Sequence, residues 1–113
     1  DTHIGLKDGN YTLPEKLPNG IRLMAMGLDV KVTLADTLYA YDVELDNVTV
    51  TNQMVFTGNG SFQEVVFENG WKVTQPDGDV HFDSCIYDSG VVDAGAHTVT
   101  QTNCSATDGT PIV

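Results

Sequence analysis

The feature that most constrains the fold is a series of short segments in which apolar and polar residues alternate. In residues 29–34, for example, the apolar residues Val30, Val32 and Leu34 occupy every second position. A period of two is the pattern of a β strand with one buried face. No window of the length of a helix carries an apolar stripe at helical spacing. The sequence therefore predicts an all-β fold.

Turn signals divide these segments. Six pairs of Asn or Asp followed by Gly are of the kind favoured in tight hairpin turns: Asp8-Gly9, Asn19-Gly20, Asn59-Gly60, Asn69-Gly70, Asp77-Gly78 and Asp108-Gly109. We expect roughly seven to nine short strands in one domain over residues 1–113, arranged as an antiparallel β-barrel or a β-sandwich. The alternation is the same in both, so the choice between them stays open. Residues 105–113 are expected to form a loose tail.

The clearest predicted strand covers residues 47–57, with Val48, Val50, Met54 and Phe56 facing inward. Further strands are predicted at residues 21–26, 29–34, 39–45, 61–67, 71–74, 80–87 and 97–102.

The charge balance restricts the partners. The chain has 16 acidic and five basic residues among 113, a formal net charge of −11. Such a surface repels nucleic-acid phosphates and anionic lipid head groups. It also favours a soluble monomer. We therefore expect no nucleic-acid partner and no membrane association.

The sequence also carries signals of secretion. Four of the seven asparagines, Asn10, Asn47, Asn59 and Asn103, begin the N-glycosylation pattern Asn-x-Ser/Thr. Because the first residue is Asp1 rather than methionine, we expect a mature chain from which a signal peptide has been removed. These features favour an extracellular glycoprotein, with Asn59 at the tip of a turn.

The only two cysteines, Cys85 and Cys104, do not form a Cys-x-x-Cys motif. In an oxidising compartment such a pair is expected to form a structural disulfide. The bridge would enclose 18 residues and would attach the last strand to the sheet.

No motif identifies an enzyme. The carboxylates Asp42, Glu44 and Asp46 alternate along one predicted strand, and we interpret them as a solvated face. Asp79, His81 and Asp83 share one side of another strand and are the best candidates for a metal site. Alternate positions are ~6.5–7 Å apart, too far for adjacent ligands without bending, so we interpret these three as a polar face as well. We expect no catalytic residues, no metal and no cofactor.

Aromatic residues are the remaining candidates for binding, because sugar rings stack on exposed aromatic side chains. The candidates are Trp71, the only tryptophan, and the tyrosines Tyr39, Tyr41 and Tyr87. Trp71, Tyr39 and Tyr41 are also placed where core residues would lie.

The sequons, the Cys85/Cys104 pair and the dense Asn/Asp-Gly turns together resemble the small secreted effectors of plant-associated fungi, in particular the elicitors of the rice-blast fungus that induce the hypersensitive response. The resemblance implies a non-enzymatic protein that is perceived by a host or binds a host protein or a cell-wall polysaccharide. A carbohydrate-binding module and a small secreted hydrolase are the two alternative hypotheses.

Overall fold

A computed structural model of the chain describes residues 2–14, 16–34, 38–74, 79–92 and 98–112. Within these residues the chain forms 13 β strands and no helix. The strands are β1 (Thr2–Leu6), β2 (Gly9–Leu13), β3 (Ile21–Ala25), β4 (Val30–Leu34), β5 (Leu38–Asp46), β6 (Thr49–Val50), β7 (Met54–Gln63), β8 (Val66–Phe67), β9 (Trp71–Val73), β10 (Asp79–Asp83), β11 (Ile86–Tyr87), β12 (Gly90–Val92) and β13 (Thr98–Thr102).

Every strand pair among the described residues is parallel. Sheet A has the order β1-β3-β5-β7-β10-β13, with β9 and β12 attached beside β7, and sheet B has the order β11-β8-β6-β4-β2. The chain passes from sheet A to sheet B and back in each coil. The result is a β-solenoid of about four turns.

Two strands are long because each of them continues around a corner. Residues 54–56 of β7 pair with β9, whereas residues 60–63 pair with β10. In β5 the pairing register shifts between Ala40 and Val43, and Asp42 between them has a positive φ of 60°. The early parts of β5 and β7, together with β9 and β12, therefore form a third side of the coil.

The core is a column of inward side chains that stack from coil to coil. Ile4, Leu23, Leu45, Phe62 and Phe82 occupy equivalent positions, 17 to 22 residues apart along the chain. The rings of Phe62 and Phe82 stack at a centroid distance of 5.1 Å. Leu23, Leu45, Phe62 and Phe82 belong to one continuous hydrophobic core, whereas Ile4, at the end of the column, is 39% exposed.

The expected antiparallel barrel or sandwich is wrong. Alternation of apolar and polar residues reports one buried face and contains no information about strand direction. The inward residues were nevertheless identified correctly: Val48, Val50, Met54 and Phe56 are all buried. Their segment is not one strand, however, because a corner at residues 51–53 separates β6 from β7. The predicted strands 61–67 and 80–87 are divided by corners in the same way.

The predicted disulfide is also wrong. Cys85 and Cys104 are two free, buried thiols. Each lies two residues beyond the paired ends of β10 and β13, Asp83 and Thr102. The Cys85 thiol donates to the backbone oxygen of Phe62 at 3.1 Å. Burial raises the pKa of Cys85 to about 12, so this side chain behaves as a small core residue.

Asn59-Gly60 and Asn69-Gly70 are not hairpin tips, whereas Asp108-Gly109 lies in a turn between Ser105 and Pro111, which form an antiparallel bridge. Asn69-Gly70 forms a corner turn in which Gly70 has a φ of 75°, whereas Asn59-Gly60 lies inside β7. Asp77-Gly78 lies outside the described residues. The segment after Cys104 is hydrogen-bonded as far as Ile112: Ser105 bridges both Ile86 and Pro111, and the Ile112 amide donates to the Cys104 oxygen at 2.9 Å.

Candidate ligand-binding groove on sheet A

A groove of about 630 Å³ lies on the outward face of sheet A. Five strands, β1, β3, β5, β7 and β10, contribute to it. Its lining residues are His3, Gly20, Ile21, Arg22, Asp42, Val43, Glu44, Asn59, Gly60, Ser61, Asp79 and His81.

One side of the groove is a row of outward side chains in the middle of the sheet, here called the central row. It consists of His3, Arg22, Glu44, Ser61 and His81, which are direct neighbours on successive strands. They face outward because the residues beside them on the same strands, such as Val43 and Phe62, are buried. The parallel register thus brings together five polar residues that are far apart in sequence.

The other side of the groove is the corner row, which consists of Asp42, Asn59 and Asp79. These residues lie where the chain turns onto sheet A, each two positions before a member of the central row. The Asn59 side-chain oxygen accepts a hydrogen bond from the Asp79 amide at 2.9 Å and so ties two neighbouring coils together.

The groove is longer across the strands than along them. Adjacent strands lie ~4.8 Å apart and alternate residues ~6.6 Å apart, so five strands give a length of roughly 19 Å and the two rows a width of about 7 Å. These dimensions fit a linear chain that lies across the strands.

Arg22 is the centre of a cluster of charges. Its Nε lies 2.7 Å from Glu44 Oε2 and 2.6 Å from Asp46 Oδ2. Its Nη2 lies 2.5 Å from the same Asp46 oxygen. One guanidinium is therefore shared between two carboxylates, and the cluster keeps a net negative charge.

The two carboxylates of this cluster are in different surroundings. Asp46 is buried, with 8% of its surface exposed, and its Oδ1 has no hydrogen-bond partner among the described residues. Glu44 lines the groove. Burial and then the charge of Asp46 raise the pKa of Glu44, while Arg22 acts in the opposite direction. Glu44 therefore holds its proton more tightly than a free glutamate does.

Two of the aromatic candidates, Trp71 and Tyr87, are not part of this groove. Trp71 and Tyr87 are buried, with 1% and 3% of their surface exposed. The Trp71 ring stacks on Phe82 at a centroid distance of 4.1 Å, and the Tyr87 hydroxyl donates to Gln101 Oε1. The side chains of Tyr39 and Tyr41 lie outside the described residues.

The metal candidates are only partly brought together. Asp79 and His81 both line the groove, one in each row, whereas Asp83 lies further along β10 and is not part of it. Among the described residues, no group of three or more His, Cys, Asp or Glu side chains is arranged to hold a metal ion.

The four sequons lie on the surface at different kinds of position. Asn10 is exposed on β2, and Asn47 and Asn103 are exposed at corners with φ values of 62° and 52°. Asn59 is partly buried in the corner row rather than at the tip of a turn. Glycosylation at these four positions stays a prediction.

Sequence reasoning missed Arg22, Ser61 and the grouping of the two rows. Each residue of the central row comes from a different coil, and coils of unequal length conceal the repeat. The available signals were the alternation of Asp42, Glu44 and Asp46 and that of Asp79 and His81, and both were interpreted as polar faces in solvent.

Comparison with known proteins adds no relative: no protein-family model, curated protein or solved structure matches the chain. The described residues contain no helix that is long and apolar enough to cross a membrane.

Proposed function

We propose that this protein is a non-enzymatic carbohydrate-binding module that holds an extended glycan in the groove of sheet A. The observation that carries the proposal is the groove itself, which crosses five strands between two rows of polar side chains in register. A glycan chain presents hydroxyl groups at regular intervals. The carboxylate, amide, hydroxyl and imidazole groups of the two rows can donate to and accept from such hydroxyls.

The surroundings of the groove argue against other linear ligands. A peptide that binds by strand addition needs a free sheet edge, but β3, β5, β7 and β10 are each paired on both sides. The apolar lining residues Ile21 and Val43 are buried and offer no pocket for an apolar side chain. A nucleic acid would be repelled by the net charge of −11.

Binding in this groove differs from the stacking expected from the sequence. Trp71 and Tyr87 belong to the core, so the proposed contacts are hydrogen bonds rather than ring stacking. Perception by a host stays a prediction. The proposal also places the protein outside the cell, supported by the four sequons alone, since the cysteines are free thiols.

The proposal is tested by calorimetry and NMR titration against soluble oligosaccharides of cellulose, xylan, mannan, chitin, chitosan and pectin. Ser61→Tyr places a ring between Glu44 and His81 and should abolish binding. Val66→Tyr is the matched control, because Val66 is a partly exposed position on sheet B. We expect Val66→Tyr to bind like the original protein. Absence of binding to every oligosaccharide, or equal loss in both variants, would contradict the proposal.

Hydrolysis of the bound glycan is a second candidate, favoured by the raised pKa of Glu44. A protonated carboxylic acid in the groove could donate its proton to the leaving oxygen of a glycosidic bond, while water attacks the anomeric carbon and its released proton restores the acid. Release of reducing ends, abolished by Glu44→Gln with binding retained, would support hydrolysis. The binding module is expected to release none.

A further inference from the structure

The charges around the groove restrict the kind of glycan that it can hold, an inference that rests on the proposed function. Asp42, Glu44 and Asp79 line the groove, and Asp46 is joined to it through Arg22. Among the described residues of the lining, Arg22 is the only Lys or Arg. With histidines taken as neutral, four carboxylates and one guanidinium give a formal charge of −3.

That guanidinium has little capacity left for an anionic ligand. Its Nε and Nη2 are already directed at Glu44 and Asp46, at distances of 2.5 to 2.7 Å. An anionic sugar, such as a uronate, would have to displace one of these carboxylates. It would also have to approach Asp42 and Asp79, two acidic residues for which no ion pair is present among the described residues.

Asp46 adds to the negative charge beside the groove. As a residue it is 8% exposed, its Oδ2 is paired with Arg22, and its Oδ1 makes no hydrogen bond to any described residue. A buried carboxylate oxygen without a donor is unfavourable. The rest of the protein strengthens this potential, because the chain carries a net charge of −11 and acidic surfaces attract cations.

The negative charge of the groove calls for a positively charged ligand. A ligand with several amino groups fits this groove better than a metal ion does. The described residues provide no cluster of three metal-ligating side chains. The carboxylates are instead distributed along the groove: Asp42 and Glu44 are on β5, and Asp79 is on β10, two strands away. Ammonium groups repeated along an extended chain match such a distribution. We infer that the glycan bound by this groove is an amino sugar polymer with free, protonated amines, of the glucosamine type.

The inference is tested by comparing three oligomers of equal length: β-1,4-linked glucosamine, its N-acetylated form, and galacturonate. At low salt we expect the glucosamine oligomer to bind at least tenfold more tightly than the acetylated one, and galacturonate not to bind. The advantage should disappear at high salt, because screening weakens interactions between exposed charges.

Substitutions in the groove test which carboxylates cause the preference for glucosamine. Asp42→Asn and Asp79→Asn should each weaken binding of the glucosamine oligomer more than binding of the acetylated oligomer, and so reduce the preference for glucosamine several-fold. Glu68→Gln, which removes one exposed negative charge outside the groove, should leave the preference intact.

The outcomes separate this inference from the proposed function. Equal binding of the acetylated and free-amine oligomers would overturn the inference and leave carbohydrate binding standing. Absence of binding by any sugar would overturn both. Oligolysine that binds as tightly as glucosamine, with the same dependence on Asp42 and Asp79, would also overturn the inference, because the groove would then select charge and not sugar.

Discussion

Glu44 is the groove residue whose ionisation depends most clearly on its neighbours. Its pKa lies above the ordinary value of 4.5, first because of burial and then because of the charge of Asp46. Since the folded protein binds this proton more tightly than the unfolded chain does, Glu44 stabilises the fold below pH 4.5, and the contribution is lost as the pH rises through its folded pKa.

We therefore predict opposite effects of the two neighbours on Glu44. Asp46→Asn should lower the pKa of Glu44, because it removes a negative charge, and Arg22→Gln should raise it, because it removes a positive one. Both shifts can be followed by NMR titration of the Glu44 carboxyl carbon, with Glu68 as an exposed reference. Shifts of the same sign in both variants would contradict the charge cluster.

Trp71 is a core residue, and its substitution separates packing from binding. Trp71→Ala should lower the free energy of unfolding by about 3–5 kcal/mol, because the stacked ring against Phe82 is replaced by a cavity. A methyl group at Gly90 would lie 2.5 Å from Trp71 Cζ2, which shows how closely the indole is enclosed. Denaturant unfolding measures the effect.

Two control variants make this result specific to the core. Trp71→Phe should be milder, since it keeps an aromatic ring and removes an indole N–H that has no partner among the described residues. Val91→Ala, at an exposed position on β12, should change stability by less than about 0.5 kcal/mol. A Trp71→Ala variant of normal stability that had lost glycan binding would place the ring on the surface instead.

At the scale of elements, three corners that lead from sheet A to sheet B, after β5, β7 and β10, share one backbone conformation. Asn47, Glu64 and Ser84 have positive φ values of 62°, 54° and 55°. In each case the amide donates to a backbone oxygen of the next coil, at 2.8 to 2.9 Å. The left-handed conformation turns the chain by one residue, so that the next residue, Val48, Val65 or Cys85, points into the core.

The positive φ at these corners predicts that glycine is tolerated or favoured there. The left-handed conformation costs a residue with a Cβ about 1–2 kcal/mol, and the extra flexibility of glycine in the unfolded chain offsets roughly 0.5–1 kcal/mol. Glu64→Gly should therefore stabilise the protein by up to about 1 kcal/mol, measured by thermal or urea unfolding.

The matched control is Glu68→Gly, at another exposed glutamate that is not among the residues with positive φ. It gains no relief of strain and should lower stability by about 0.5–1 kcal/mol. If both glycines lowered stability equally, the strain assigned to the corner would be absent.

The strands could be predicted from the sequence, whereas the corners between them could not. Strands β3 and β4 and the inward residues of β6 and β7 follow from alternation, because burial of one face produces that pattern in any sheet. The corners were invisible by the same criterion. The alternation of Val48 and Val50 with Met54 and Phe56 continues across residues 51–53, where the chain leaves one sheet for the next.

At the scale of the whole molecule, the direction of the strands could not be predicted. A parallel pair normally needs a long crossover, usually a helix, and the sequence shows none. The solenoid avoids a helical crossover because each strand of sheet A returns to its neighbour by way of sheet B and the third side of the coil. Irregular coil lengths of 17 to 22 residues hide the repeat that would have indicated this. The groove forms only when the coils stack in this register. It therefore could not be predicted from the sequence either.

A solenoid is stabilised coil by coil, since each coil contacts only its neighbours. Among the described residues, β1 and β2 each pair with a single strand. The inward residue Ile4 of β1 is 39% exposed, whereas its equivalents Leu45 and Phe62 are fully buried. The last strand, β13, is followed by the hydrogen-bonded segment at residues 104–112. Stability should therefore be lowest in the coil of β1 and β2 and highest in the centre.

Native-state hydrogen exchange measures this gradient directly. We predict that amides of β1 and β2 exchange at least tenfold faster than those of β5 and β7, because they open by local fraying rather than by global unfolding. Phe62→Ala should cost about 3–5 kcal/mol, and Ile4→Ala should cost less than about 1 kcal/mol, since half-exposed side chains leave smaller cavities. Uniform exchange rates in all strands would mean that the coils unfold together, and equal costs of the two substitutions would mean that the end coil is as well packed as the centre.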